Sequence, residues 1–381
     1  MKIGIVCYAS VGGSGVVATE LAQALADRGH EIHLISADLP FRWRWATRGL
    51  SFERVDTPNY PLFREPQYLL ALTNTLVRVS RKHQLDIIHA HYAVPHATAA
   101  YMAHRILLSD AARPPRTVTT LHGTDITLVG SDPSYADVVA FSIENSHGVT
   151  AVSESLKKDT GTALGITRDI RVIPNFLDTD AWARRPDASL RSRLCTPGVC
   201  EAVIVHVSNF RPVKRVNRVL DIFRRIQKQV RSRLVMVGDG PDRVAVERQA
   251  AEYGLSDIVD FVGEQQDLVP WLSTADLFLL PSQQESFGLA ALEAMSCEVP
   301  VIASRVGGIP EVITDGVTGY ICEADDFDGM ADRGIALLQD PTTKKAVSQA
   351  AAQSVRDRFS VHSIVPRYED YYEDVLSGEE R

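Results

Sequence analysis

The chain has 381 residues, of which 45% are hydrophobic and 23% charged, with 48 Asp and Glu against 40 Lys and Arg. That length is too great for one ordinary core and suits two domains of about 150–200 residues each. The net charge of −8 argues against a general nucleic-acid binder and gives no sign of a polybasic membrane patch. No segment approaches the ~18 uninterrupted apolar residues of a membrane span. The opening MKIGIVCYAS lacks the longer apolar region and cleavage site of a leader peptide, so a cytoplasmic enzyme is expected. Five cysteines, Cys7, Cys195, Cys200, Cys297 and Cys322, are odd in number and scattered. The one close pair has no partner pair, so neither a disulfide framework nor a zinc knuckle is expected.

Short β-branched runs alternate with longer amphipathic ones from end to end. Strands are predicted at residues 3–8, 31–36, 86–90, 117–121 and 149–152, with helices at 16–28 and 67–81 between them. The rhythm restarts with strands at 202–207, 233–237, 258–262, 276–281 and 299–303. Continuous apolar strands separated by helices indicate parallel sheets covered on both faces. Residues 173–194, rich in Pro, Asp and Arg, show no sustained period, and the hinge is placed at Pro174 and Asn175. Residues 361–377 read as a final helix rich in Tyr, Asp and Glu. The expected class is α/β, with two Rossmann-like doubly wound domains, 1–173 and 174–360, facing across a cleft at the C-terminal ends of their strands. The last segment, 361–381, is expected to pack back toward the N-terminal domain.

The first turn carries Gly13-Ser14-Gly15-Val16-Val17-Ala18, a match to the dinucleotide pattern G-x-G-x-x-A, and Asp38 falls where a nicotinamide dinucleotide's ribose ligand would sit. An NAD-dependent oxidoreductase is therefore a rival of a different class. Against it, Ala9-Ser10-Val11-Gly12 lengthens the turn beyond the dinucleotide form. A longer loop at a helix start still offers unpaired backbone N–H groups to a phosphate or carboxylate.

The second half holds a denser cluster. Asn209-Phe210-Arg211-Pro212-Val213-Lys214-Arg215 follows one predicted strand, and Glu285-Ser286-Phe287-Gly288-Leu289-Ala290-Ala291-Leu292-Glu293 follows another. Arg211 and Lys214 at a strand-to-helix junction can clamp a diphosphate and neutralise charge on a leaving group. Phe287 and Gly288 can present backbone N–H groups at a helix start. On a continuous helix, eight residues would separate Glu285 from Glu293 by roughly 12 Å, the reach from a sugar hydroxyl to a ribose across a diphosphate. Taken singly, each feature has a bland reading as solvated charge, and together they are harder to dismiss.

The run of SNFRPVKR, GDGP, ESFGLAALEAM and GGIPEVI resembles the donor-binding domain of retaining GT-B glycosyltransferases. The resemblance implies that Asn209, Arg211 and Lys214 belong to the donor diphosphate loop and that Glu285 contacts the transferred sugar. It further implies that Glu293 holds the ribose hydroxyls and that 262–265, beginning at Val262, lies beside the base. Such enzymes use no divalent metal or other cofactor, and no Asp-x-Asp motif accompanies this cluster.

The first half is similar to a narrower family. SVGGSGVVATEL, PFR, NYPLF, HAHYAVPHA and LHGTDI resemble the N-acetylglucosaminyl L-malate synthases of bacillithiol biosynthesis, over nearly the whole chain. By that resemblance the donor is UDP-N-acetylglucosamine and the acceptor L-malate, and His122 sits close to the reacting sugar. Tyr92 and Thr124 are then acceptor-site candidates, Ser14 and Gly15 bind a donor phosphate or the malate carboxylate, and Arg42 is the cation for the second carboxylate. Gly13 belongs to the same loop. A relative uses inositol phosphate, and other GT-B enzymes use lipid or polysaccharide acceptors; Arg42-Trp43-Arg44-Trp45 is the one segment suggesting a membrane-facing patch. The resemblance allows a homodimer without fixing one. His89, His91 and His96 invite a metal reading, but no carboxylate pattern accompanies them.

The chain departs from the family pattern at Glu298, where glycine is usual before the next strand, and at Arg305, where a small polar residue is common; residues 183–200 match nothing in it. No carboxylate is evidently placed for double displacement. The expected chemistry is front-face attack, the acceptor hydroxyl passing its proton to the departing diphosphate oxygen.

Overall fold

A computed structural model describes residues 1–9, 13–44, 47–58, 67–110, 113–196 and 198–378. The chain divides into two compact units, Met1–Phe176 together with Val361–Arg381, and Leu177–Ser360.

In the first unit seven parallel strands form one sheet: β1 (Lys2–Val6), β2 (Glu31–Ser36), β3 (Leu50–Arg54), β4 (Ile87–His91), β5 (Arg116–Leu121), β6 (Gly148–Ala151) and β7 (Arg171–Val172). Their order is β3-β2-β1-β4-β5-β6-β7, so the winding reverses where β1 lies beside β4, with Ile3 opposite Ile87. The central strands are buried along their length because helices cover both faces. Helix Gly13–Asp27 lays Leu21 and Leu25 against Ile3, Ile5 and Leu34. On the other face Leu72, Leu76 and Val79 of helix Tyr68–His83 pack on Val6, Ile35 and Ile88. The terminal helix Val361–Ser377 joins this unit, placing Val365, Tyr368 and Tyr372 in the core with Ile3 and Ile5. The Tyr371 hydroxyl accepts from the Val149 N–H at 2.7 Å and donates to the Val149 carbonyl at 3.1 Å. That bond pair satisfies a strand edge that would otherwise lie buried without partners.

The second unit holds β8 (Ala202–Val207), β9 (Ser232–Val237), β10 (Val259–Gly263), β11 (Leu277–Leu280), β12 (Val301–Ser304) and β13 (Tyr320–Cys322). The six are parallel in the order β10-β9-β8-β11-β12-β13, with the reversal between β8 and β11. Ile204, Leu220, Phe223, Leu234, Leu277 and Ile302 form its core.

Two expectations are corrected here. Residues 173–194 do contain regular structure: helix Ala188–Leu194, capped by the Asp187 side chain on the N–H groups of Ser189 and Leu190. Its single buried residue, Leu190, is too little for a visible period. Cys195 and Cys200 form a disulfide. The chain turns immediately after that helix, the Cys200 N–H reaching the Thr196 carbonyl at 3.0 Å, and brings the two Cα atoms to 5.1 Å. The bond closes a local loop and needs no second pair. Among the described residues no helix is long and apolar enough to cross a membrane.

Candidate functional site

In open parallel sheets ligands bind at the strand C-terminal ends where the winding reverses. In the second unit that point lies at the exits of β8 and β11, the two segments that carry the basic and acidic motifs. Near the end of β8, His206 is buried; its Nδ1 lies 2.9 Å from the Leu279 carbonyl on β11 and its Nε2 2.8 Å from Ser208 Oγ. Burial holds this imidazole down to about 4, so it is neutral, donating from Nδ1 and accepting at Nε2. Phe210, wholly buried at φ 36°, then turns the chain outward. Asn209 and Arg211 are exposed beside it, and Lys214 closes the short turn Pro212–Lys214.

The Lys214 Nζ donates to Glu285 Oε1 at 2.7 Å, and the Ser282 hydroxyl donates to the same oxygen at 2.8 Å. Glu285 is nearly buried and Lys214 is 22% exposed, so solvent screens the pair only in part. The structure thus joins two candidates separated by 71 residues.

The helical spacing assumed for Glu285 and Glu293 is corrected. The helix begins at Leu289, and Gly288 before it sits at φ 101°, a left-handed conformation that interrupts any helix. Glu285 therefore lies on the loop while Glu293 lies buried on the helix. Two glycines of the GGIPEVI stretch, quoted for the resemblance but given no role, hold this loop. Gly308 donates its N–H to the Glu285 carbonyl at 3.0 Å. Gly307, at φ 49°, comes so close that a Cβ there would stand 1.8 Å from that carbonyl oxygen. The GGIP motif is thus a buttress for Glu285. Phe287 is buried edge-to-face on Phe359, and Val262 lies on β10, its carbonyl bonded by the Gln265 side chain at 2.7 Å.

In the first unit the exits of β1 and β4 meet in the same way. Gly13, Ser14 and Gly15 form the first turn of helix Gly13–Asp27; Ser10, Val11 and Gly12 lie outside the described residues, as do Trp45 and the NYPLF stretch. Tyr92 leaves β4 at φ 92°, a conformation unusual for a bulky residue and most often found at functional turns. Its ring lies 5.6 Å from Tyr8 and 5.4 Å from His122. His122 stacks on His91 at 5.1 Å, with 2.9 Å between its Nε2 and the His91 Nδ1. Burial pushes His122 down to about 3, so it serves as a neutral dipole and not as a cation.

Asp125, quoted in the LHGTDI motif but not singled out, organises this turn. Its carboxylate accepts the N–H groups of Gly123 at 2.8 Å, His122 at 3.2 Å and Ala93 at 3.4 Å. Burial raises its pKa to about 6 against the opposing pull of those bonds. Thr124 stands partly exposed between them. His89 is a core residue, its two nitrogens on Tyr372 Oη at 2.8 Å and Thr120 Oγ1 at 2.7 Å, which leaves it no lone pair for an ion. His96 bonds the His91 carbonyl at 2.5 Å.

Arg42 adopts φ 66° with its guanidinium 5.9 Å from the Phe41 ring centroid. Trp43 packs against the β1–β2 core, and Arg44 is tied to Gln23 Oε1 by its backbone N–H at 2.8 Å and its Nε at 3.0 Å. Both side chains are engaged within the unit, which weakens a membrane-facing reading. Asp38 is exposed and paired with Arg54 at 3.2 Å.

A profile for glycosyl transferases group 1 matches residues 199–354, and one for glycosyltransferase family 4 matches 11–181. The chain is 44% identical, over 99% of its length and 97% of the other's, to N-acetyl-alpha-D-glucosaminyl L-malate synthase of Bacillus anthracis. It is 28% identical, over 89% of each, to D-inositol 3-phosphate glycosyltransferase of Frankia alni. Among solved structures it superposes on sucrose-phosphate synthase of Thermosynechococcus elongatus with a TM-score of 0.81, at 21% identity and 99% coverage of both chains. Anabaena HepE, in complex with UDP and glucose, gives 0.80 at 20% identity over 98% of this chain and 99% of its own. At those identities the likeness establishes the fold, which is GT-B.

Proposed function

This chain belongs to the N-acetyl-alpha-D-glucosaminyl L-malate synthase family of glycosyltransferases, and from that premise we propose that it moves N-acetylglucosamine from UDP-N-acetylglucosamine to the hydroxyl of L-malate, the first step of bacillithiol biosynthesis in the cytoplasm. The observation that carries the chemistry is the 2.7 Å contact of Lys214 with Glu285 at the winding reversal of the second sheet. Ser282 and Lys214 converge on Oε1, which leaves the lone pairs of Oε2 for a sugar hydroxyl. Lys214 and the exposed Arg211 stabilise the diphosphate as negative charge gathers on it. Glu293 holds the ribose, and Asn209, Val262, Phe287 and Gly288 complete the donor set.

The transfer keeps the anomeric configuration. The bond from the anomeric carbon to the diphosphate oxygen breaks, and a bond to the malate oxygen forms on the same face. The malate hydroxyl proton passes to the departing oxygen, and UDP leaves. His122, kept neutral by burial, offers its dipole to the cationic sugar without adding positive charge. For the acceptor we assign Tyr92, Thr124, Ser14 and Arg42, with the Gly13-Ser14-Gly15 turn offering N–H groups to a carboxylate or phosphate. Malate is favoured over inositol phosphate by the greater identity to the malate enzyme along the full length.

The test is UDP release from UDP-N-acetylglucosamine with L-malate, inositol phosphate or buffer alone, with product mass determined. Malate-dependent release with a glycosylated malate is expected. Release that depends on inositol phosphate instead, or on neither, overturns the acceptor assignment.

A further inference from the structure

We propose that Glu31, His33 and His83 form a binding site for a divalent transition-metal ion, zinc foremost, at the sheet edge opposite the strand ends that carry the candidate site. Glu31 opens β2 and His33 follows two positions later, so the strand's period of two puts both on one face. His83 is the last residue of helix Tyr68–His83, whose end comes down over that face. The Glu31 Oε1 lies 3.2 Å from His33 Nε2 and 3.6 Å from His83 Nδ1, and one ligand atom from each residue falls within 4.8 Å of the others. A tetrahedral zinc ion with bonds of about 2.0–2.1 Å spaces its ligand atoms roughly 3.3 Å apart. The cluster is thus near the size of the ion's coordination shell.

The surroundings fit ligation as well. Ser51 Oγ lies 2.7 Å from His33 Nδ1 and 3.3 Å from the Ile32 carbonyl. A hydroxyl donating to that carbonyl accepts from Nδ1–H, and this tautomer leaves the Nε2 lone pair pointing at a carboxylate oxygen. In that tautomer Nε2 and the carboxylate oxygen are two acceptors 3.2 Å apart, an arrangement that a cation bound between them satisfies. At His83 the Nδ1 faces Glu31, and the buried Nε2 has no hydrogen-bond partner among the described residues, Glu53 Oε1 standing 3.7 Å away. The Ser51 hydroxyl on His33 Nδ1 is the outer partner that metal-binding histidines characteristically keep on the far nitrogen. Lys2 approaches the other Glu31 oxygen, Oε2, at 3.9 Å and leaves Oε1 to the ion. His33 is buried, whereas the Glu31 side chain is 44% exposed, which gives the ion an entry path and an open position for water. Nothing in the proposed transfer uses these residues, so the ion would tie the helix end to the edge of the sheet.

The experiment uses the full, untagged chain, stripped with a chelator and incubated with Zn²⁺ or Co²⁺. Metal content after desalting, visible absorption of the Co²⁺ form and thermal unfolding are measured. One zinc per chain, a Co²⁺ spectrum of tetrahedral intensity and a raised Tm are expected. Glu31→Gln and His83→Gln should each weaken binding about tenfold or more and remove the Co²⁺ band, with transferase turnover in the stripped protein unchanged. The exposed Glu31 position keeps the first variant foldable, which far-UV circular dichroism checks. Failure of the wild-type chain to retain metal, or undiminished retention by both variants, overturns the site.

Discussion

At the scale of single residues, the contact between Lys214 and Glu285 supports two separable predictions. Lys214→Ala removes the cation proposed to face the leaving group, and loss of one such preorganised donor lowers kcat by about 10²–10³. The same change leaves the nearly buried Glu285 carboxylate with the Ser282 hydroxyl but without its cation, so a lower Tm is expected beside the kinetic loss. Steady-state kinetics beside a melting curve tests this; kcat near that of the parent chain would refute the clamp, however the Tm moved. Lys214 and Glu285 were legible because both sit in short, residue-rich motifs directly after predicted strands. Ser282 was not, and Gly307 was only part of the GGIPEVI stretch without a role, since what makes them matter is contact with Glu285, and contact is invisible in spacing. Asp125 left a faint trace: a short acidic side chain just past a strand end, where orphan backbone N–H groups gather. The site of Glu31, His33 and His83 left less, because helix Tyr68–His83 brings together positions about fifty residues apart.

At the scale of elements, the turn at Glu298 has a conformation that glycine would suit better. Helix Leu289–Ser296 ends in a Schellman motif, with Val299 N–H bonded to the Ala294 carbonyl and Glu298 N–H to that of Met295, each at 3.0 Å. That motif requires a left-handed residue, and Glu298 fills the place at φ 58°. A side chain there costs roughly 1–2 kcal/mol, partly offset by the greater entropy a glycine has when unfolded. The 3.8 Å approach of Arg184 to Glu298 joins two exposed groups and contributes little. Glu298→Gly should therefore stabilise the second unit by about 0.5–1 kcal/mol, a Tm rise of a few degrees. Glu298→Ala, which retains a Cβ, should not. A fall in Tm for the glycine variant would mean the left-handed turn is unstrained. Central strands were readable by their buried β-branched runs, and β8 falls at its expected residues. The strands β3, β7 and β13 were missed: β3 is only half-buried and shows no clean alternation, and β7 and β13, of two and three residues, are too short to show a run. The helix at Leu289 was placed too early for the converse reason. Its sequence is continuously helix-favouring, and only the conformation of Gly288 shows where the loop stops.

At the scale of the whole chain, the two units differ in how acid acts on them. His89 and His122 are held down to about 3 and His96 to about 4, and His91 lies well below the ordinary range, all chiefly by burial. All four are in the first unit, whereas the second has His206, at about 4. A histidine whose folded pKa is depressed contributes its full stability above the unfolded value near 6.5. That contribution drains away as pH falls toward the folded value, because the unfolded chain takes up protons first. Between pH 7.5 and 5.0 the loss is about 2 kcal/mol for each such group. Asp125 acts in the opposite sense. Its folded pKa, raised to about 6, means the folded state binds the proton more readily, so lowering pH over the same interval returns about 1 kcal/mol. The four histidines, joined by His147 at about 4 and by His33, both also lowered chiefly by burial, outweigh the one carboxyl and leave the first unit the loser, by more than the second unit with its single histidine. Calorimetry at pH 7.5 and 5.0 should show the unfolding profile broaden or split at the lower pH. Limited proteolysis at pH 5.0, just below the first transition, should cut within 1–176 before 177–360. Equal sensitivity of the two units, or earlier cleavage of the second, would mean that the buried histidines are not the groups through which acid acts.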